Sequence, residues 1–408
     1  MIAEIKKEAV ETFKRLGFPS TKNEEWKYFN VQQILPDQPV FSAAPARLSA
    51  SDLTPCMIAG NNVHLLVFEN GIYRADLSST GTIENLVIGP ISSLKENQTF
   101  KNNFGKVVSF GTEPFVALNT AVDHEGVFIH VPASAVIGKT IHILHVNTNE
   151  QSDRITSIRN LIVAEKQAAI SIVESYHALN QQCNGLINVV NEIVVHESAR
   201  VELCKAQLDS DAASQINFTQ TIQEKNSTFD TVTVTLNGRL TRNNLHIKLN
   251  DTNCTAHLFG LYILDGEQLT DNHTLVDHAM PNCFSNELYK GVIGGKASGV
   301  FNGKIFVRKD AQKTNAYQSN KNILLSDDAT MNTKPQLEIF ADDVKCTHGA
   351  TTGQLDEEAL FYLRARGIGE KSARTLLNIA FVADVLNNIK SDELRETLQQ
   401  KAEAKLMQ

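Results

Sequence analysis

Apolar positions along the 408-residue chain pass through three regimes. The first is helical. Ile2, Ile5, Ala9, Phe13 and Leu16 recur at the spacing that lines one helix face, and Gly17 followed by Pro19 ends the run. From about 36 to 105 the pattern is mixed. Within it, VHLLVFENGIYRADL predicts a hairpin, two alternating runs joined at Asn70-Gly71.

The second regime begins near residue 106, where helix periodicity gives way to short β-branched runs for almost 250 residues. The segments IVAEKQAAISIVE (162–174), IVVHESARVELCK (193–205), TIQEKNSTFDTVTV (221–234) and IKLNDTNCTAHLFG (247–260) share one form. Each reads as a strand, a four-residue polar corner and another strand. The corners begin at Pro132, Ala164, His196, Gln223, Asn250, His278, Arg308 and Ala341. From Ala164 onward the steps are 32, 27, 27, 28, 30 and 33 residues. A recurrence near 30 residues built from strands is the pattern of a β-solenoid, whose coils bury their apolar faces only by stacking. A β-sandwich with coincidental spacing is the competing reading.

The third regime, from about 354, returns to helical period. Leu376, Ile379, Ala383 and Leu386 predict one buried stripe, set off from the preceding helix by Gly367-Ile368-Gly369. Ser391 is the expected N-cap of a last helix, with Asp392 and Glu393 in its first turn. The division is therefore 1–105 (helical and small mixed α/β), 106–353 (solenoid) and 354–408 (helical). Because open sheet ends invite association, helices at both ends are expected to cover the solenoid.

Charge and composition narrow the function. With a net charge of −8 and pI near 5.9, binding to nucleic acid or an anionic membrane by bulk charge is not expected. The charged N-terminus has no continuous apolar core of a secretory signal, and no run of about 18 apolar residues exists to span a membrane. Cysteines at 56, 183, 204, 254, 283 and 346 include no Cys-x-x-Cys pair, which fits reduced thiols in a cytoplasmic chain rather than a disulfide framework or a closed zinc knuckle.

Several motifs fall short of a chemistry. GKT at 138–140 has Ala133 where a phosphate loop needs glycine, and GGK at 294–296 is followed by Ala297 instead of a hydroxyl. GIGEKSARTLL (367–377) has the look of a DNA-binding helical hairpin, but residues 354–408 carry eight Lys/Arg against nine Asp/Glu. It is read as an interhelical turn on a protein-binding surface. His273, Asp277 and His278 are read as polar groups at a solenoid corner. Asp327-Asp328 and Asp342-Asp343 are the adjacent acidic pairs that a carbohydrate-active β-helix enzyme would need.

DDVKCTHGATTG (342–353) is different. Residues i and i+2 of a strand share a face about 6–7 Å apart, so Cys346 and His348 can converge on one metal or cluster. Thiolate and imidazole together suit zinc, iron or iron–sulfur chemistry. Two ligands do not close a tetrahedral site. On spacing alone a packed cysteine and a hydrogen-bonded histidine at the end of the last coil is the simpler reading.

The stretch ADDVKCTHGATTGQLDEEALFYLRARGIGEKSARTLLNIAF (341–381) resembles the C-terminal signature of the SufB/SufD family of iron–sulfur cluster assembly. KTNAYQSNKNILLSDDATMNTKPQLEIFADD (313–343) and GVFNGKIFV (299–307) resemble it too, and PSTKNEEWKYFN (19–30) is similar to the SufD branch. The resemblance implies a right-handed parallel β-helix with helical ends. It implies a non-catalytic subunit paired with SufB through its β-helix core and with the ATPase SufC through its C-terminal helices. It places His348 first and Cys346 second as ligands of a nascent cluster or iron, with the remaining ligands on SufB and no tightly bound cofactor. A SufB-like paralogue and a homodimer of this chain are the alternatives inside the same pathway.

Overall fold

The computed structural model describes residues 2–41, 47–81, 86–122 and 124–407. Helix α1 (Ile2–Leu16) is followed by β1 (His64–Glu69) and β2 (Ile72–Tyr73), which form the predicted hairpin. Asn70 and Gly71 take φ values of 50° and 80° at its turn. Strand β3 (Val87–Pro90) and helices α2 (Ile91–Leu94), α3 (Gln98–Asn103) and α4 (Pro114–Ala121) complete this region. Helix α4 falls where the pattern predicted only strands. Phe115 through Thr120 are all buried, so its sequence carries no polar stripe to mark it as a helix.

The solenoid strands follow. They are β4 (Val127–Val131), β5 (Ile141–Asn147), β6 (Ile155–Ala164), β7 (Ala169–Ala178), β8 (Leu186–Val195) and β9 (Arg200–Leu208). Next come β10 (Ser214–Gln223), β11 (Thr228–Thr235), β12 (Leu240–Leu249), β13 (Thr255–Leu264) and β14 (Leu269–His278). The last are β15 (Phe284–Ile293), β16 (Ser298–Val307), β17 (Thr314–Leu324), β18 (Thr330–Ile339) and β19 (Val344–Gly353). Odd-numbered strands from β5 to β19 stack in parallel in one sheet, which β1 joins in parallel. Even-numbered strands from β4 to β18 stack in the other. Each repeat near 30 residues is thus one coil of two strands, a parallel β-solenoid of about eight turns.

The corners read from the sequence all lie on one edge of this stack. There Ser134, Gln167, Ser198, Asn226, Asn253, Asn282 and Lys313 each adopt a left-handed φ between 59° and 63°. Each donates its backbone N–H to a carbonyl of the next coil, at distances from 2.6 Å (Lys313 to Asp343) to 3.4 Å (Asn253 to Pro281). The strain of a non-glycine residue in that region is thereby tied to a continuous ladder that stitches the coils together.

Between the sheets, inward side chains such as Ile143, Ile172, Leu203, Leu258 and Phe301 form the main core. Two tyrosines interlock there. Tyr289 lies against Gly260 and Tyr262 against Gly291, its in-register neighbours. A Cβ at Gly291 would stand 2.2 Å from the Tyr262 ring and 2.6 Å from Asn322 Oδ1. Gly291→Ala is expected to cost about 1–3 kcal/mol of stability by overpacking, seen as a lower thermal midpoint.

Helices α5 (Glu357–Ala365), α6 (Glu370–Leu386) and α7 (Asp392–Met407) correct two expectations. They do not close the end of the solenoid. Helices α6 and α7 fold back across the outer face of the odd-numbered sheet, against β13 and β15. Lys290 on β15 donates to the Phe381 carbonyl at 2.8 Å and pairs with Asp384, and Lys390 bridges Glu202 and Asp230 at 2.7 Å each. The buried residues of α6 are Ala373, Thr375, Asn378, Val382, Val385 and Leu386, so Leu386 was placed correctly while Leu376 faces outward. Ser391 accepts from Leu394 N at 3.4 Å, as expected of a cap. Among the described residues no helix is long and apolar enough to cross a membrane.

Candidate functional site

Strand β19 carries Cys346 and His348. Among the described residues it is the last strand of its sheet, pairing on one side only, with β17. Burial collapses over the final coil. Most of β17 is still enclosed, whereas nearly every residue of β18 and β19 is partly or fully exposed. A Cβ at Gly349 or Gly353 would meet nothing within 4 Å. Tyr317, Leu325, Ile339 and Phe340 are exposed around this coil, Phe340 to 60%. The outer edge of β19 therefore presents free backbone donors and acceptors beside an apolar rim, the form of surface that a further strand or subunit covers.

Cys346 lies in register with Ala316 and His348 with Gln318. Cys346 is half-buried against Ile305, Val307, Ala311, Ala316 and Ala341. Burial pushes its thiol above the usual pKa, opposed by hydrogen bonding to the Ala316 backbone. It is the one cysteine of six that is not fully buried. His348, two residues on, is exposed on the same face. The strand period thus brings the two ligand-type side chains to one face at the mouth of the solenoid. Among the described residues, no three His, Cys, Asp or Glu side chains stand together as a metal site.

Other singled-out residues separate. His273 pairs with Asp271 at 2.9 Å and Glu25 at 3.3 Å. His278 points inward to Ser285 Oγ at 2.9 Å, and Asp277 takes both arms of Arg308 at 2.7–2.8 Å. His273 lies inside β14, whereas Asp277 and His278 are its last two residues, where the corner begins. The GGK segment forms the turn between β15 and β16, with Gly295 packed on the Gly266 backbone. Asp327-Asp328 and Asp342-Asp343 lie in the turns after β17 and β18. In the α5–α6 hairpin, Arg374 and Arg364 both reach Glu370, at 3.1 and 3.4 Å, and Arg366 stacks on Tyr362. This hairpin exposes Phe361 to 74%, Tyr362 to 55% and Leu376 to 47%. The helical period alone had turned Leu376 inward, so this apolar surface was not legible from it.

Comparison with known proteins shows the family. Residues 145–381 match the family model of the SUF system FeS cluster assembly SufBD core domain, and residues 1–143 match the SufBD protein N-terminal region. The chain is 31% identical to an iron–sulfur cluster assembly SufBD family protein of Synechocystis, over 96% of this chain and 88% of that one. It is 26% identical to the iron–sulfur cluster assembly protein SufD of Escherichia coli, over 94% and 88% respectively. It is 27% identical to the chloroplastic protein ABCI7 of Arabidopsis thaliana, over 96% and 83%.

Proposed function

Because this chain belongs to the SufBD family of iron–sulfur cluster assembly proteins, we propose that it is a SufD-type scaffold subunit of a cytoplasmic SufB–SufC–SufD complex. The observation that carries this reading is the open last coil, with Cys346 and His348 on a strand whose outer edge has no partner among the described residues. The solenoid, 106–353, pairs there with SufB, or with a second copy when SufB is absent. Iron and sulfide are cargo held in transit between chains. His348 is the leading ligand from this side and Cys346 the second, and SufB supplies the rest.

The C-terminal region, 354–408, is the docking surface for the ATPase SufC. Phe361, Tyr362 and Leu376 support this as an exposed apolar patch on a short helical hairpin. The subunit catalyses nothing itself; ATP hydrolysis by SufC supplies the work. Helix α6 is bonded to β15 through Lys290, and β15 is two strands from β19. Movement of the helices is thereby transmitted to the last coil. There it exposes Cys346, whose burial at rest keeps it protonated and shielded from oxidants.

The test is His348→Ala in the complex reconstituted anaerobically with SufB and SufC. Iron and acid-labile sulfide are expected to fall about tenfold or more, with a smaller loss for Cys346→Ala. Undiminished iron in the His348 variant removes that residue from the mechanism. Native mass measurement of the chain alone and with both partners separates the heterocomplex from a homodimer.

A further inference from the structure

Strands β15, β17 and β19 are consecutive neighbours, and one inward row across them reads Glu287, Gln318, His348 in strict register. The adjacent row reads Ser285, Ala316, Cys346. The cysteine thus has a methyl group behind it, while the histidine has a carboxamide. In-register side chains on one face of a sheet are about 4.8 Å apart, within reach of a side-chain hydrogen bond.

Gln318 is only 3% exposed and Glu287 1%. Gln318 Nε2 donates to Glu287 Oε2 at 2.8 Å. That bond turns the amide so that its oxygen, Oε1, is left over, and Oε1 is buried with no hydrogen-bond partner among the described residues. A buried acceptor left so is destabilising unless a donor reaches it. The opposite sheet makes room for this arrangement. A Cβ at Gly303 of β16 would stand 2.4 Å from Gln318 Nε2, so only glycine there leaves space for the carboxamide.

We propose that Gln318, anchored by Glu287, is the positioning residue of His348: its unpartnered Oε1 accepts the imidazole N–H when the exposed ring turns inward, a bond the structure does not contain, and the other ring nitrogen is left free for the metal. This rests on the reading of His348 as a ligand. A ligating histidine commonly donates its second N–H to an oxygen, which fixes its tautomer and ring plane. Only His348 of the pair has such support, which gives a physical reason for its rank above Cys346.

The first measurement uses the full chain without metal. With 15N-labelled histidine, His348 is expected to hold one neutral tautomer. Gln318→Met, apolar and of similar length, is expected to give a mixture of both. Gly303→Ala displaces the carboxamide without deleting it and is expected to do the same, so the test survives if either variant folds poorly. The transposed pair, Glu287→Gln with Gln318→Glu, keeps an acceptor oxygen facing His348 and is expected to restore the single tautomer. An unchanged tautomer in folded Gln318→Met overturns the proposal. In the SufB–SufC complex, Gln318→Met is expected to retain ten- to a hundredfold less iron at limiting iron. If the tautomer shifts but His348→Ala retains iron fully, the positioning stands and the ligand reading of His348 falls instead.

Discussion

Glu192→Ala is expected to lower the free energy of unfolding by about 3–5 kcal/mol, the range for removing one partner of a buried ion pair. Glu192 on β8 and Arg159 on β6 are both 0% exposed. Arg159 donates to Glu192 Oε1 from Nε at 3.0 Å and from Nη2 at 2.6 Å. The same carboxylate accepts the backbone N–H groups of Gly105 and Val107 at 3.0 Å and of Val108 at 3.3 Å. It therefore pins the segment after α3 to the solenoid. Arg159 also donates to Thr120 Oγ1 at 2.7 Å and lies over the Phe104 ring. Removing the carboxylate leaves a buried guanidinium without its counter-charge and three amides without an acceptor. Replacing both residues, Arg159→Met with Glu192→Leu, is expected to recover a large part of the loss, because the unpaired charge goes with it. The check is the denaturation midpoint at constant slope. A single variant within about 1 kcal/mol of the parent would show that water reaches the pair.

Acidification from pH 7.5 to pH 4 is expected to cost at least about 4 kcal/mol of stability. His142 and His278 are fully buried and His145 nearly so. Burial holds His142 at about 3, and His145 and His278 at about 4, below the ordinary 6.5. His177 is pushed well down by the same cause. A folded pKa below the unfolded one means that the unfolded chain holds protons the native state refuses. Stability is then full above about 6.5 and falls as the pH drops towards 3–4, by about 3 kcal/mol per histidine at pH 4. Two buried carboxyls act with the opposite sign. Burial raises Glu287 to about 7 and Asp209 to about 6, so each regains stability as the pH falls, together about 5 kcal/mol by pH 4. The histidines outweigh them, and His177, together with His124 and His246, which burial holds at about 3 and about 4, adds to that side. Midpoints measured from pH 7.5 to 4 test the balance. His278→Gln, which removes a titrating group, should flatten the decline, and an equal decline would exclude His278 as a source.

The period near 30 residues was legible because one edge of the solenoid repeats a single conformation. A left-handed residue at Gln167, Ser198, Asn226, Asn253 and Asn282 is followed by a small one, which leaves a recurrent polar corner. The opposite edge was not legible. Its turns range from the seven-residue 179–185 to the four-residue 236–239, so they leave no common sign in the sequence. The interior also holds more than apolar side chains. Glu174, entirely enclosed, accepts from Asn160, Tyr176 and Asn191, and Asn243 donates to Asn272 in the next coil. Alternation says that a face is buried, not whether a hydrogen-bonded network replaces hydrocarbon there.

Along the chain, the order of residues acts locally and periodically. It set the coil length, the hairpin at Asn70-Gly71, the cap at Ser391 and the sharing of one strand face by Cys346 and His348. Each follows from φ preference or from the period of two in a strand. Tertiary structure decided what lies against what. It laid α6 and α7 along the odd-numbered sheet, turned Leu376 outward with Phe361 and Tyr362, and left the last coil uncovered. It also set Gln318 and Glu287 behind His348, from positions 30 and 61 residues earlier in the chain. An amphipathic pattern specifies that a surface is buried but not its partner, and register between strands a whole coil apart is fixed only when the coils stack.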